Sequence, residues 1–233
     1  MLGVGDVRRV MYGTFTRPRA ETGTEHPRVE TVLGYLVRHP EGTVLFDTGI
    51  GVADPETDDW YEPARVPLAR ALSTAGLAPG DVDLVVNCHL HFDHCGGNPA
   101  LAGRPVFVQR TELEAARGAD YTVPDLVDFT GARYEELDGE AEIAAGVFVV
   151  PTPGHVAGHQ ALAVRCHDGT VVLAGQSFET TSELSTAFRQ VGAARSSGRH
   201  DLAPAPPWVA RLLELDPARV VLAHDEAVWE PAG

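Results

Sequence analysis

The sequence predicts an α/β protein in which two mixed sheets face each other and helices flank them. Strand-like apolar runs occur in both halves of the 233-residue chain, with stretches of helical spacing between them. This pattern fits two packed sheets with flanking helices better than a single parallel sheet. No solenoid-length repeat, low-complexity tract or linker divides the chain, so we expect residues 1–233 to form one domain.

The first half of the chain alternates strand and helix signals. Two β-rich runs joined by a Pro-Glu-Gly turn predict a hairpin, and apolar residues then recur at helical spacing before a Pro-Gly pair ends the pattern. Residues 50–62 are acidic and rich in turn formers, which predicts a loop. The predicted strands are 29–39, 43–47, 82–88 and 105–109, and the predicted helices are 66–77 and a segment that begins at Thr111.

The second half is dominated by apolar runs typical of buried strands. The runs predict strands at 147–151, 160–166 and 170–174, then a helix at 207–215 and a final strand at 219–222. Residues 118–133 are irregular and contain apolar side chains suited to a lid. We therefore expect the walls of a pocket to come from loops at 50–62, 118–133 and 178–207.

Charge and composition narrow the range of partners. The formal net charge is −15, whereas a nucleic-acid binder needs a basic surface to neutralise phosphates. We therefore expect a small-molecule substrate and no binding to nucleic acid or membranes. The three cysteines follow no secretory leader, and no apolar run approaches the roughly 18 residues of a membrane helix. These features favour the cytoplasm, and the oligomeric state is left open.

Four metal-ligating side chains lie within six residues of the chain. His89 and His91 alternate in an extended segment, so both are able to face one ion, and Asp93 and His94 follow at a turn. A single histidine after a strand is usually structural, but this cluster without a metal would concentrate polar groups at high cost. Imidazole and carboxylate ligands suit zinc, and also manganese, iron or cobalt.

One such cluster cannot hold two ions, because zinc takes three or four protein ligands. Two distant histidines also follow predicted strands, namely His155 in Thr-Pro-Gly-His and His224 after 219–222. Ligands in α/β proteins collect at the carboxyl ends of strands, so both are candidate ligands. His159 precedes a strand and is interpreted as supporting structure.

The combined motifs resemble the metallo-β-lactamase superfamily, and within it the quorum-quenching N-acyl homoserine lactonases. The segment CHLHFDHCGGN is similar to their metal loop, VFVQRTELEAAR to the strand and helix after it, and TPGHVAGHQALAV to their second ligand segment. The likeness extends from about Gly34 to His224. It implies the αββα sandwich of that superfamily and a metal-dependent hydrolase.

The resemblance also implies roles for individual residues. It assigns one ion to His89, His91 and His155 and a second ion to Asp93, His94 and His224, with zinc as the expected metal. It further implies that a metal-activated hydroxide attacks an acyl carbon and that Asp93 accepts a proton. Asp47 resembles a carboxylate that orients a ligand imidazole, and an aspartate that simply starts a turn is an equally good interpretation.

The sequence departs from the lactonase pattern at two positions. Gln176 stands where the family has an aspartate that bridges the two metals, and a neutral amide offers only its oxygen as a ligand. Glu179 stands where the lactonases carry a tyrosine near the substrate carbonyl. Glu179 is interpreted as a replacement bridge, as a catalytic acid or base, or as a surface residue. The departures leave open whether one or two ions bind.

Three functions remain after these observations. The first is hydrolysis of a lactone or related ester, as in the N-acyl homoserine lactonases. The second is hydrolysis of another acyl substrate, such as a thioester or a cyclic amide. The third is a catalytically degenerate protein that binds a metal or ligand without turnover, which the neutral Gln176 keeps open.

Overall fold

The computed structural model of this chain describes residues 2–198 and 201–231, so the ends of the expected domain 1–233 lie outside it. The described strands are β1 (Val7–Arg17), β2 (Arg28–His39), β3 (Gly42–Phe46), β4 (Ala64–Arg65), β5 (Leu84–Val86), β6 (Pro105–Gln109), β7 (Arg133–Leu137), β8 (Ala141–Ala144), β9 (Val147–Pro151), β10 (Gln160–Cys166), β11 (Gly169–Leu173), β12 (Pro217–Val221) and β13 (Val228–Trp229). The described α-helices are α1 (Arg19–Thr22), α2 (Pro55–Tyr61), α3 (Leu68–Ser73), α4 (Phe92–Cys95), α5 (Arg110–Ala116), α6 (Thr181–Ser197) and α7 (Pro207–Glu214).

Within the described residues the strands form two mixed sheets. The first sheet has the order β4-β1-β2-β3-β5-β6-β7, and the second has the order β13-β12-β11-β10-β9-β8. In the first, β1 to β3 pair antiparallel, whereas β3, β5, β6 and β7 pair parallel. In the second, β11 and β12 form a parallel pair among antiparallel neighbours. The predicted pair of mixed sheets is confirmed.

Alternating side chains of β2 show how the sheets pack. Leu33 and Val37 belong to the apolar cluster between the two sheets, which also contains Leu162 of β10. Val32 and Leu36 point to the opposite face, into the cluster that includes residues of α3 and α5. Successive side chains of a strand point to opposite faces of the sheet, so one strand supplies two layers of core.

The outer face of the second sheet is covered by α6 and α7. Ala161 and Ala163 of β10 pack there with Leu184 and Phe188 of α6 and Leu212 of α7. Small alanine side chains allow helices to approach the sheet closely. Helices thus flank both outer faces, as the sequence predicts. No helix in the described part of the chain is long and apolar enough to span a bilayer.

Two of the three predicted loops contain helices, so these predictions are wrong in part. Residues 50–62 include α2, whose N-cap Asp54 accepts a hydrogen bond from the Thr57 N–H. Residues 178–207 include the 17-residue helix α6, which begins with a capping box formed by Thr180 and Glu183. Side-chain caps of this kind satisfy N–H groups in the first helical turn. The helix α6 buries few side chains, and its apolar periodicity is correspondingly weak.

The amino terminus adds a strand that precedes the first predicted strand, 29–39. β1 is an eleven-residue strand that pairs with β2 along its length and with β4 near Gly13. The strand predicted at 82–88 is shorter, since β5 spans only Leu84–Val86. After Val86 the chain is irregular until α4 begins at Phe92. This segment carries His89 and His91.

Candidate metal centre

Several candidate ligands, and the supporting residue Asp47, lie just beyond the carboxyl ends of strands. Asp47 follows β3, His89 follows β5, His155 follows β9, Gln176 follows β11 and His224 follows β12. β3 pairs parallel with β5, and β11 pairs parallel with β12. Because parallel strands end at the same edge of a sheet, the two sheets bring these segments together at one edge of the sandwich.

The loop after β5 turns sharply at a glycine. His91 is the N-cap of the short helix α4, which buries Asp93 and His94. A Cβ atom on Gly96 would lie only 1.8 Å from the backbone nitrogen of Gly51. This contact leaves no room for a side chain, so the glycine permits the metal loop to pack against the segment after β3.

Three imidazoles converge on one point at the pocket floor. His89 Nε2 lies 3.0 Å from His91 Nδ1, and His155 Nε2 lies 3.2 Å from the same atom. Burial lowers the pKa of His91 to about 4 and that of His155 to about 3, so the rings are neutral at pH 7. With Zn–N bonds of about 2.0–2.1 Å, nitrogens in a tetrahedral set lie roughly 3.3 Å apart. The three nitrogens therefore fit one zinc-sized ion.

A second group lies beside the first. Asp93 Oδ2 is 3.5 Å from His94 Nε2 and 3.4 Å from His224 Nε2, and the two Nε2 atoms are 3.1 Å apart. Burial opposes ionisation of Asp93, but the neighbouring histidines His94 and His224 lower its pKa. Burial lowers the pKa of His94, yet Asp93 and Asp47 outweigh it and raise that pKa to about 9. One carboxylate and two imidazoles form a donor set suited to a divalent ion.

Hydrogen bonds behind the second group orient its two rings. His94 Nδ1 lies 3.0 Å from Asp47 Oδ2, and His224 Nδ1 lies 2.8 Å from the carbonyl oxygen of Thr31. Each contact places a proton on Nδ1, so that in the neutral ring the Nε2 lone pair is directed at the converging donors. Asp47 is buried and has a positive φ of 59°, a conformation that is uncommon outside glycine.

Gln176 joins the second group through its amide oxygen. Gln176 Oε1 lies 3.2 Å from His94 Nε2, and its Nε2 atom lies 3.5 Å from Glu179 Oε1. The Glu179 carboxylate accepts a hydrogen bond from Arg28 at 3.0 Å and lies 3.8 Å from Arg17. Glu179 does not belong to the groups of converging donors found among the described residues. Its carboxylate faces the arginines, and its nearest link to the centre is the Gln176 amide.

The backbone of Gln176 is held from behind by His159. The Gln176 N–H donates to His159 Nε2 at 3.0 Å, and His159 Nδ1 lies 2.7 Å from the Thr152 hydroxyl oxygen. Gly175 has a positive φ of 56°, and a Cβ there would lie 2.5 Å from the Cβ of Cys88. The interpretation of His159 as supporting structure agrees with these contacts.

The two groups open onto a pocket of about 810 Å³. Its walls include parts of two predicted segments, 50–62 and 118–133. Among the residues that the structure describes, the third predicted segment, 178–207, contributes none to the walls, so the prediction is wrong for that segment. Phe15 and Arg17 of β1 and Glu21 of α1 complete the walls. The lining residues are Phe15, Arg17, Glu21, Asp54, Thr57, Tyr61, His91, Phe92, Asp93, Gly118, Ala119, Asp120, Tyr121, Thr122, Val123, Pro124, His155 and Gln176.

Sequence reasoning did not identify several residues that support the centre. The buried Glu112 carboxylate accepts hydrogen bonds from the Leu90 N–H at 2.7 Å and from the Tyr121 hydroxyl at 2.5 Å. The Tyr121 ring packs 4.8 Å from that of His91. Cys88 lies behind His89 and His94. Only the position of Cys88 directly before His89 gives a sequence signal, because the other contacts join separate segments.

Comparisons with known proteins agree with this architecture. A family model described as the metallo-beta-lactamase superfamily matches residues 27–224. The chain is 30% identical to an N-acyl homoserine lactonase of Bacillus cereus over 151 residues, which cover 60% of each protein. It is 27% identical over 219 residues to the N-acyl homoserine lactonase AttM of Azorhizobium caulinodans, covering 84% of this chain and 82% of that protein. The match to the first relative thus spans less than two thirds of its length.

Solved structures show the same fold. A Bacillus thuringiensis AiiA variant with N-decanoyl-L-homoserine at its active site superposes with a TM-score of 0.74 at 22% identity, covering 97% of this chain and 94% of that one. AidC, a dizinc quorum-quenching lactonase in complex with a product, superposes with a TM-score of 0.67 at 16% identity, covering 97% and 89%. At these identities the likeness is one of fold.

Proposed function

This chain belongs to the metallo-β-lactamase superfamily, and from that premise we propose that it is a metal-dependent hydrolase that opens a lactone or related ester. The observation that carries the proposal is the pair of donor groups at the floor of one open pocket. In the first group, neutral imidazoles whose lone pairs converge without a proton between them are costly unless a cation is bound. The names of the lactonase relatives support the choice of substrate.

We propose that the two groups hold divalent ions, with zinc preferred for its affinity for imidazole. The proposed ligands of the first ion are His89, His91 and His155, and those of the second are Asp93, His94, His224 and the amide oxygen of Gln176. When bound, such ions supply Lewis acidity toward an acyl carbonyl and make water more acidic. The sequence motifs and the distances between the donor atoms support this assignment.

We propose that Asp93 is the side chain that accepts a proton during hydrolysis. It lines the pocket, and its lowered pKa keeps it ionised at neutral pH. One carboxylate oxygen lies within the second donor group, so the residue is positioned between the ligands and the pocket. Glu179 is less suited to a direct role, because its carboxylate pairs with Arg28 and Arg17. We propose that Glu179 instead orients the Gln176 amide.

The pocket supports a small acyl substrate. Its volume of about 810 Å³ lies within the range of roughly 300–1,000 Å³ typical of small-molecule sites. Phe15, Tyr61 and Phe92 form a contiguous aromatic wall, with ring centroids 5.7 and 5.4 Å apart, which suits an apolar acyl chain. We propose that the protein acts in the cytoplasm, because its free thiols, such as that of Cys88, favour a reducing compartment.

The decisive experiment combines metal analysis with hydrolysis of N-acyl homoserine lactones. We expect purified protein to contain zinc or a similar ion, to lose activity with a chelator and to regain it with added zinc. His91→Ala and His155→Ala should lose metal and activity together, because each removes one of three imidazoles. Arg189→Ala, on the exposed face of α6, is the control and should behave as wild type. Full metal content in both histidine variants would contradict the ligand assignment.

The screen should include thioesters, β-lactams and simple esters. Turnover of one of these in place of lactones would assign the chain to another acyl substrate on the same scaffold. A metal-loaded protein without turnover of any acyl substrate would favour the catalytically degenerate alternative. The observation that sustains that alternative is the neutral amide of Gln176, whose oxygen lies 3.2 Å from His94 Nε2.

A further inference from the structure

The thiol of Cys88 lies behind both donor groups at once. The residue is fully buried after the end of β5. Its Sγ atom is 3.0 Å from Asp47 Oδ2, 3.2 Å from His89 Nδ1 and 3.3 Å from His94 Nδ1. His89 belongs to the first donor group and His94 to the second. One side chain therefore contacts an imidazole of each group on the face away from the pocket.

The hydrogen-bond directions follow from the available protons. Asp47 accepts the Cys88 backbone N–H at Oδ1, at 2.8 Å, and its Oδ2 accepts both the Cys88 S–H and the His94 Nδ1–H. When His89 Nε2 serves as a metal ligand, which is the part of the proposed function on which this inference rests, the ring proton of His89 resides on Nδ1. The partner for that proton is the Cys88 sulfur, which is a weak acceptor.

We propose that Cys88 is a positioning residue that ties the imidazole of His89 to Asp47, the carboxylate that also holds His94. The thiol accepts a hydrogen bond from His89 and donates one to Asp47. The orientations of the His89 and His94 rings therefore both depend on the buried pair of Cys88 and Asp47. His94 has its own direct bond to Asp47, whereas His89 reaches Asp47 only through the sulfur. Loss of the thiol should therefore affect the first donor group more than the second.

The surroundings of the sulfur hold it in place. A Cβ atom on Gly175 would lie 2.9 Å from Cys88 Sγ and 3.0 Å from His159 Nε2. The thiol therefore packs against the backbone at Gly175, where any residue larger than glycine would collide with it. Serine at position 88 fits the same space and keeps one donor and an acceptor, whereas alanine removes the link without adding bulk.

A competing arrangement is that Cys88 itself ligates a metal. Its sulfur also converges with His89 and His159, and with Asp47 and His94, in two fully buried groups. Ligation in the second of these groups would use His94 Nδ1 and break its hydrogen bond to Asp47. The residues His91, Asp93 and His155 instead line the open pocket, which gives an ion access to the opposite face. The geometry favours the thiol as a support and not as a ligand.

The test is a zinc titration of the metal-free full-length protein by calorimetry, with wild type, Cys88→Ala, Cys88→Ser and Cys95→Ala. Cys95 is an equally buried thiol of the same loop whose sulfur bonds to the Leu90 carbonyl and, among the residues that the structure describes, to no imidazole. We expect Cys88→Ala to weaken the first site by about 10-fold or more, as is usual for partners of ligand histidines. The second site should change far less. Cys88→Ser should recover most of the lost affinity, and Cys95→Ala should match wild type.

Cobalt substitution gives a second readout that does not need the alanine variant to fold. A thiolate-to-cobalt charge-transfer band in wild type that disappears in Cys88→Ser would show direct ligation and overturn the proposal. Unchanged zinc affinity at both sites, or equal losses at both, would also overturn it. These measurements use metal alone and no substrate, so their outcome is separate from the success or failure of the lactonase assignment.

Discussion

The amide of Gln176 adds no charge to a site with two adjacent donor groups, although its oxygen lies 3.2 Å from His94 Nε2. Two neighbouring divalent ions repel each other, and a bridging carboxylate would offset part of that repulsion. Asp93 supplies one negative charge to the second group. We therefore expect unequal affinities, with the ion of His89, His91 and His155 bound tightly and the second ion bound more weakly.

Gln176→Asp should strengthen the second site by about 10-fold or more, since a buried charge pair is worth more than a neutral contact. Zinc titration by calorimetry measures both sites in one experiment. Gln190→Asp on α6 adds the same charge away from the centre and should change neither affinity. Two equally tight sites in wild type, unaltered by Gln176→Asp, would show that this position does not govern metal binding.

The buried histidines make the metal-free protein sensitive to pH in both directions. The pKa of His94 is raised to about 9, so its stabilising contribution is complete below about pH 6.5 and is lost as the pH rises through that raised value. The pKa of His91 is lowered to about 4, so stability is lost as the pH falls below about 6.5. Urea denaturation of metal-free protein should therefore show a maximum near neutral pH. A midpoint that stays constant from acid to alkaline pH would contradict these assignments.

At the scale of secondary-structure elements, the end of β11 is shaped by one glycine. Gly175 has φ of 56°, and a Cβ there would collide with Cys88 and approach His159. We expect Gly175→Ala to destabilise the protein by about 1–3 kcal/mol, as overpacking and backbone strain usually do, and to reduce zinc content. Urea denaturation and metal analysis measure the two effects.

The matched control for that substitution lies in α6. Gly192 is a helical residue with open space around its Cβ position. Gly192→Ala should stabilise the helix by about 0.5–1 kcal/mol, because alanine has the higher helix propensity. Stability of Gly175→Ala equal to wild type, with full zinc content, would mean that the strand end adapts without moving its neighbours.

At the scale of the whole molecule, the donor groups join both sheets. His89 and Asp93 follow a strand of the first sheet, whereas His155 and His224 follow strands of the second. A bound ion therefore connects the two halves of the sandwich, and the unfolded chain offers no such site. Ligands that bind only the folded state stabilise it by about RT ln(1 + [L]/Kd), or roughly 4 kcal/mol at a thousandfold excess over Kd.

We accordingly expect chelation to lower the melting temperature and added zinc to restore it, with the shift growing with free zinc concentration. Differential scanning calorimetry of metal-free and metal-loaded protein measures this directly. His26→Ala removes an exposed histidine outside the donor groups and should leave the zinc-dependent shift intact. A melting temperature independent of zinc would contradict binding across the two sheets.

Local sequence by itself determined the features that depend on nearby residues. The spacing of His89 and His91 predicts that they face one point, because alternate side chains of an extended segment point the same way, and Asp93 and His94 follow at the next turn. Apolar runs similarly predict the buried strands β6, β9 and β10, whose bounds agree with the structure. The fold class, which is predicted from the order of such runs together with the ligand motifs and the family that they resemble, is confirmed. The roles of the candidate ligands remain predictions.

Tertiary structure decided the contacts between distant segments. Pairing of His94 with His224, the thiol bridge from His89 to Asp47, and the wall contributed by Phe15 all depend on strand register and sheet packing. A shift of one residue in the register of β1 would turn Phe15 to the other face of its sheet, and the other residues lie in segments whose positions are set by the strands that they follow. Such contacts leave no periodic signal in the sequence, because each involves single residues and is fixed only when the two sheets close on a common core.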